Sequence, residues 1–186
     1  MLKENYFVLT GAMGAGKTTI LNKIRERNLL CIDEPAREIL KEQRLYNGDG
    51  VPEKNAGLFN HLMLSRMAFQ YSKYISCNEP VIFDRGVPDI IAYAELLKTD
   101  YSESLAAAGE YRYNKHIFHF SGWKEIYTTD NERKADFETA NNFGEKLKNV
   151  YTGLKYIIID VPFLPVNERV DFILNSVKSI RKQGSV

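Results

Sequence analysis

A glycine-rich segment near the N-terminus has the residue types and spacing needed to hold phosphate groups. Gly11-Ala-Met-Gly-Ala-Gly-Lys-Thr18 matches the Walker A pattern G-x-x-x-x-G-K-[ST]. Its glycines permit a loop whose backbone N–H groups face the phosphates, while Lys17 reaches the β- and γ-phosphates and the Thr18 hydroxyl ligates Mg²⁺. The residues that we predict to contact a nucleotide here are Gly11, Ala12, Gly14, Ala15, Gly16, Lys17, Thr18 and Thr19.

A carboxylate and an arginine follow the second apolar run of the chain. In Asp33-Glu-Pro-Ala-Arg-Glu38, Pro35 suits the first turn of a helix, which puts Glu34 at the junction and Arg37 one turn later. A carboxylate at this position can accept the proton of an attacking hydroxyl, and the arginine can orient it or bind an anionic acceptor. The alternative is that acidic residues stand here because a helix N-terminus favours negative charge.

An aspartate and an arginine end the third apolar run. Val81-Ile-Phe-Asp84 predicts a Walker B element in which Asp84 holds Mg²⁺, directly or through water. Arg85 stands where ATP-driven motors carry a water-activating glutamate, and an arginine cannot deprotonate water. It is better suited to binding an acceptor or a transferring phosphoryl group. Asp89 is a candidate for substrate binding or, alternatively, for capping the next helix.

Three more candidates lie outside these segments. Arg66 continues the apolar stripe of Phe59 and Met63 on a predicted helix, which indicates a substrate-facing surface or simply the polar edge of an amphipathic helix. Arg133 belongs to a polar segment, at about 122–135, that we predict to be a lid with Arg133 stabilising charge in the transition state. Pro162 follows the fifth apolar run, where it lines a base pocket or only ends the strand.

Five short apolar runs predict the strands that position these side chains. They are Tyr6–Thr10, Leu29–Asp33, Val81–Asp84, His116–Phe120 and Tyr156–Asp160. Segments with helical periodicity separate them, so the order predicts an α/β protein with a five-stranded parallel sheet covered on both faces. Ligands of such sheets gather at the carboxyl ends of the strands, which is where the candidate residues fall.

The remaining organisation is simple. We expect one domain spanning 1–186, a long helix from about Gly57 to Ser76, and an insert or mobile segment over Thr99–Tyr113.

Composition restricts the classes of function. A net charge of +1 provides no strong positive potential to bind the phosphates of a nucleic acid, so we expect no nucleic-acid partner. We find no signal-peptide pattern and no apolar run of membrane-spanning length. Cys31 and Cys77 lack metal-ligand spacing, and two unpaired thiols indicate a cytoplasmic protein.

Taken in order along the chain, these motifs resemble a small family of P-loop ATPases or kinases labelled AAA-type, which groups with nicotinamide-riboside kinase domains. The pairs Glu34-Pro35 and Asp84-Arg85 are also similar to those of deoxyribonucleoside and thymidylate kinases. The resemblance implies a three-layer P-loop NTPase fold with nucleotide-kinase-like topology. It also implies that Glu34 acts as the base and that Arg85 positions the acceptor hydroxyl.

We therefore predict an enzyme that uses Mg²⁺ to transfer the γ-phosphoryl group of ATP to a small, nucleoside-like hydroxyl acceptor. A nucleotide-dependent switch acting on a protein or lipid partner uses the same loop without an acceptor pocket and stays an alternative. Simple ATP hydrolysis is a third. No guanine-reading Asn-Lys-x-Asp motif occurs in the expected place, which favours ATP over GTP. Neither the acceptor nor the oligomeric state can be derived from the sequence.

Overall fold

A computed structural model describes residues 2–128 and 135–183. Its five strands are β1 (Tyr6–Gly11), β2 (Leu30–Ile32), β3 (Val81–Asp84), β4 (His116–Phe120) and β5 (Ile157–Asp160). All of the pairings are parallel, and the strand order is β2-β3-β1-β4-β5. The predicted parallel sheet is confirmed, and each strand boundary falls within one residue of its prediction.

Seven helices connect and cover the strands in the described part of the chain. They are α1 (Lys17–Arg25), α2 (Ala36–Leu45), α3 (Pro52–Lys73), α4 (Val87–Leu96), α5 (Ser102–Glu110), α6 (Phe137–Gly153) and α7 (Val166–Gln183). A short 3-10 turn, Lys124–Ile126, follows β4. None of the described helices is long and apolar enough to cross a bilayer.

The two faces of the sheet bury different side chains. Because successive strand residues point to opposite faces, Tyr6 and Val8 join a core formed with α3, α4 and α6, whereas Phe7 and Leu9 join a core formed with α1 and α7. The sheet is therefore the middle of three layers. β1 lies at its centre, so the loop that follows it opens at the middle of the carboxyl edge.

The segment Thr99–Tyr113 differs from its prediction. It contains helix α5, which packs against α4, and Ala108 on this helix is fully buried. The glycine and the small residues around it indicated an irregular insert. Here they allow close packing against a neighbouring helix, because Ala108 is small enough to lie in the contact.

Candidate active site

The loop between β1 and α1 has the backbone geometry that its glycines permit. Gly11, Gly14 and Gly16 have φ angles of 118°, 76° and 85°, in the region that residues with a Cβ rarely adopt. A Cβ on Gly11 would lie 2.3 Å from the carbonyl oxygen of Phe120, so only glycine fits against β4. Helix α1 begins directly after Gly16, and its first N–H groups therefore face the loop.

Lys17 is folded back onto the loop. Its side chain is buried and its Nζ donates to the carbonyl oxygens of Ala12 at 2.7 Å and Gly11 at 3.2 Å. Burial, followed by the nearby charge of Arg85, lowers the pKa of Lys17 to about 7. A phosphate group beside Lys17 would reverse this effect, since an anion favours the protonated amine.

Thr18 and Asp84 meet beneath the start of α1. The Thr18 hydroxyl donates to Asp84 Oδ2 at 3.3 Å, and Asp84 Oδ1 is buried without a hydrogen-bond partner. Burial, and then the nearby carboxylate of Glu34, raise the pKa of Asp84 to about 6. A hydroxyl beside a buried carboxylate oxygen that lacks a donor fits a hard cation such as Mg²⁺.

Glu34 is held by two neighbours across the strand ends. Arg85 forms an ion pair with it, with 2.9 Å between Nε and Glu34 Oε1, and the Tyr93 hydroxyl donates to the same oxygen at 3.2 Å. Burial raises the pKa of Tyr93 well above its ordinary value, so the phenol keeps its proton. Glu34 Oε2 accepts no hydrogen bond from the described residues, which leaves it able to take up a proton.

Arg85 occupies an unusual backbone conformation at the end of β3. Its φ of 67° lies in the left-handed region, and its side chain is only 3 % exposed. Burial opposes its charge, but Tyr93 and the surrounding carboxylates raise the pKa of the guanidinium well above its ordinary value. Strain of this kind is found where the surroundings impose it, often in active sites.

The side chain of Asp89 is enclosed by protein groups, which favours capping, the second of its two predicted roles, over contact with a substrate. Its side chain is fully buried and accepts four hydrogen bonds: from the Thr10 hydroxyl at 2.6 Å, from Arg85 Nη1 at 2.9 Å, from the Gly86 N–H at 3.0 Å and from the Tyr151 hydroxyl at 2.6 Å. The bond to Gly86 caps α4, as the alternative predicted. Asp89 therefore acts on the site through Arg85, by fixing its orientation.

A cavity of about 570 Å³ joins the loop to Glu34. The predicted residues that line it are Gly14, Gly16, Lys17, Thr18, Thr19, Glu34, Arg37, Asp84 and Arg85. Gly11, Ala12 and Ala15 are buried within the loop itself. The structure thus brings the phosphate loop, the metal-ligand candidates and the candidate base to one cavity.

Pro162 and Arg66 were also predicted as site residues, and neither lines this cavity. Pro162 does not line it; instead Leu164, Pro165 and Val166 do, because three more residues, 163–165, precede the start of α7. Arg66 is ion-paired with Glu38 at 2.8 Å and Glu42 at 3.0 Å, so it anchors α3 to α2. Arg133 and the rest of the lid segment 129–134 lie outside the described residues.

A second cavity of about 610 Å³ lies on the other side of the same carboxylates. Arg66 borders it, together with Gln70 of α3. It shares four residues with the first cavity: Thr18, Glu34, Arg37 and Asp84.

Several residues that line the cavity were not predicted from the sequence, among them Tyr93, Trp123 and Arg169. Tyr93 lies in the largely apolar helix α4, and Trp123 lies in the polar segment that was predicted to be a lid. Arg169 falls within the apolar stripe of α7, beside Val170 and one turn before Ile173. A charged residue inside an apolar stripe was the available signal, since a buried cation needs a partner.

The fold and the loop define a P-loop protein with a kinase-type fold. A family model, AAA_28, described as an AAA domain, matches residues 6–169, and the chain belongs to that family. This confirms the family resemblance. No curated protein sequence matches the chain.

Solved structures of kinases share the fold. Deoxyadenosine kinase from M. mycoides, with products dCMP and a flexible dCDP bound, is 17% identical, with a TM-score of 0.61 over 94% of this chain and 99% of that one. NadR in complex with NR is 15% identical, with a TM-score of 0.63 over 94% of this chain but 50% of that one. Shikimate kinase from Aquifex aeolicus is 20% identical, with a TM-score of 0.56 over 93% and 96%.

Proposed function

We propose that the protein is an ATP-dependent kinase that phosphorylates a small molecule with a free hydroxyl group. The observation that carries the proposal is the position of Glu34, whose carboxylate lines the same cavity as the phosphate loop and is held there by Arg85 and Tyr93. A protein that only binds and hydrolyses a nucleotide needs no such group facing an acceptor cavity.

The donor is bound by the loop. Backbone N–H groups and the start of α1 receive the phosphates, and Lys17 exchanges its two loop carbonyls for phosphate oxygens. Thr18 and Asp84 would hold Mg²⁺, which supplies neutralisation of the phosphate charge when it is bound.

Transfer then requires positioning more than covalent chemistry. The acceptor hydroxyl oxygen bonds to the γ-phosphorus, the bond from that phosphorus to the β,γ-bridging oxygen breaks, and ADP leaves. The hydroxyl proton passes to Glu34 Oε2, while Arg85 keeps the carboxylate in place through Oε1.

A nucleoside-like acceptor fits the walls of the cavity best. Leu40 and the Tyr93 ring provide apolar surface, and Arg37 provides a donor at its edge. The fold neighbours crystallised with dCMP and with NR bind ligands of this size.

The test is a transfer assay with a matched control. Wild-type protein, Glu34→Gln and Glu26→Gln are incubated with ATP, Mg²⁺ and a panel of nucleosides, nicotinamide riboside and related sugars, and products are identified by mass. Glu26 is exposed, and Lys23 is its one ion-pair partner among the described residues. We expect transfer by wild type and Glu26→Gln, and a loss of about 100-fold or more in Glu34→Gln with nucleotide affinity unchanged.

A different outcome would favour the switch. If no compound in the panel is phosphorylated, and slow hydrolysis is the same in wild type and Glu34→Gln, the carboxylate has no role as a base.

A further inference from the structure

A buried arginine that has no acidic partner among the described residues lines the cavity beside Trp123. Arg169 is only 4 % exposed, and its Nη2 donates to the carbonyl oxygen of Ala15 at 2.8 Å. Its Nε has no hydrogen-bond partner, and it forms no ion pair with any of the described carboxylates. Arg85, which is equally buried, has two carboxylate partners.

Aromatic rings enclose the guanidinium of Arg169. Its Cζ lies 5.0 Å from the ring centre of Phe120 and 5.4 Å from that of Trp123. The rings contribute cation–π attraction but exclude water, and burial lowers the pKa of Arg169. A buried cation with one carbonyl partner is costly unless an anion compensates its charge.

The charge pattern of the cavity indicates where that anion lies. Among the described residues, two carboxylates line the cavity, Glu34 and Asp84; both act on the charge of Lys17, and Glu34 is ion-paired with Arg85. The end near Arg169 is lined by Trp123 and the apolar segment 164–166, with no carboxylate among its described residues. An anionic group therefore meets no repulsion there.

Arg169 also touches the phosphate loop where α1 starts. A Cβ placed on Gly16 would lie 3.2 Å from Arg169 Nη1. The first N–H groups of α1 and the guanidinium thus converge on the second half of the loop, and the backbone of such loops cradles the α- and β-phosphates.

We propose that Arg169 binds the α-phosphate of the donor nucleotide. The donor then lies with its γ-phosphate toward Glu34 and its base toward Trp123. This inference rests on the donor half of the proposed function and adds a phosphate-binding residue on α7 that the loop motif does not include.

The test is a binding titration without an acceptor. Its result therefore does not depend on whether phosphoryl transfer is found. Affinities of adenosine, AMP, ADP and ATP are measured by calorimetry, with weak ligands in competition with ADP, for wild type, Arg169→Met and Lys17→Met. In Arg169→Met we expect a similar loss, about 10- to 100-fold, for all three phosphorylated ligands and none for adenosine. In Lys17→Met the loss should grow with the number of phosphates.

Two further variants control for structure. Arg181→Met removes an exposed arginine from the same helix and should change no affinity. Arg169→Lys keeps the charge and should show a smaller loss with the same pattern, which preserves the test if Arg169→Met does not fold.

The proposal is overturned if Arg169→Met affects only ADP and ATP, because this would mean that the arginine merely supports the loop around the β-phosphate. An equal loss for adenosine, or no loss at all, overturns it as well. Nucleotide binding with the expected pattern but no phosphoryl transfer contradicts only the kinase proposal.

Discussion

Asp84 is the least compensated acidic side chain of the candidate site. Asp89 accepts four hydrogen bonds, whereas Asp84 accepts one from Thr18 and keeps a buried oxygen without a donor. Burial favours the neutral acid and raises the pKa of Asp84 to about 6, so the charged carboxylate carries a cost in free energy at neutral pH. If Asp84 is kept ionised for the proposed Mg²⁺, it weakens the fold before the ligand arrives.

Replacing this carboxylate should make the unliganded protein more stable. Above its folded pKa of about 6, Asp84 is charged in both folded and unfolded chains, and the folded chain carries the burial penalty. We expect Asp84→Asn to raise the free energy of unfolding at pH 8 by about 1–3 kcal/mol. The gain should shrink as the pH falls through 6, because the wild-type carboxyl then becomes neutral.

Urea denaturation of the metal-free protein at pH 8 and pH 5 measures this difference. Asp171→Asn is the control, because Asp171 is exposed and ion-paired with Arg27, and its removal should change stability by less than about 1 kcal/mol. A loss of stability in Asp84→Asn at pH 8 would mean that attraction to Lys17 and Arg85 outweighs burial.

At the scale of elements, the phosphate loop is held between β4 and α6. The Ala12 N–H donates to the carbonyl oxygen of Phe120 at 2.8 Å, at the end of β4. From the other side, Gly144 of α6 packs so closely that a Cβ on it would lie 2.9 Å from the Ala12 nitrogen. The conformation of the loop is therefore fixed by neighbouring elements as well as by its own glycines.

Two glycine-to-alanine changes, one in the phosphate loop and one in α5, should have opposite effects on stability. Gly11→Ala combines an unfavourable φ with a contact of 2.3 Å to the backbone of Phe120. We therefore expect the free energy of unfolding to fall by on the order of 3 kcal/mol or more, or the variant not to fold. A Cβ on Gly109 in α5 would meet no atom within 4 Å. We therefore expect Gly109→Ala to raise the free energy of unfolding by about 0.5–1 kcal/mol through its higher helix propensity.

Chemical denaturation of both variants checks the pair, with soluble yield as a second measure for Gly11→Ala. Wild-type stability in Gly11→Ala would show that β4 can move away from the loop at little cost.

The elements were largely predictable because their signals are local. Alternating strands and helices determined the parallel sheet, and the loop motif determined where α1 begins. Helix α5 was missed because its Ala-rich stretch has no strong apolar stripe. The roles of Asp89 and Arg169 depend on Tyr151, Ala15 and other residues distant in sequence, which no spacing rule connects. Pro162 does not line the cavity because the loop before α7 brings residues 164–166 there instead, and the sequence does not show this path.

At the scale of the whole molecule, parallel topology gathers the site. The carboxyl ends of β1, β2 and β3 lie side by side and carry the loop, Glu34 and Asp84, respectively. Because the site joins three neighbouring strands to α1, a ligand bound there stabilises the folded chain as a unit.

Thermal unfolding should therefore report nucleotide binding. At a concentration 100 times its dissociation constant, ATP with Mg²⁺ should add about 2.7 kcal/mol and raise Tm by about 5–10 °C. Lys17→Met should lose most of this shift while its unliganded Tm stays close to that of the wild type. An unchanged wild-type Tm at saturating nucleotide would contradict binding at the loop.

The second cavity affects how water could be excluded from the reacting groups. Thr18, Glu34 and Asp84 border both cavities, so solvent can approach the reacting groups from the side of α3 as well as across the loop. A segment that closes over the loop alone leaves this second route open. In the proposed reaction, protection of the donor from hydrolysis would therefore come from two directions, and an acceptor large enough to fill the space beside Gln70 would exclude water from the second.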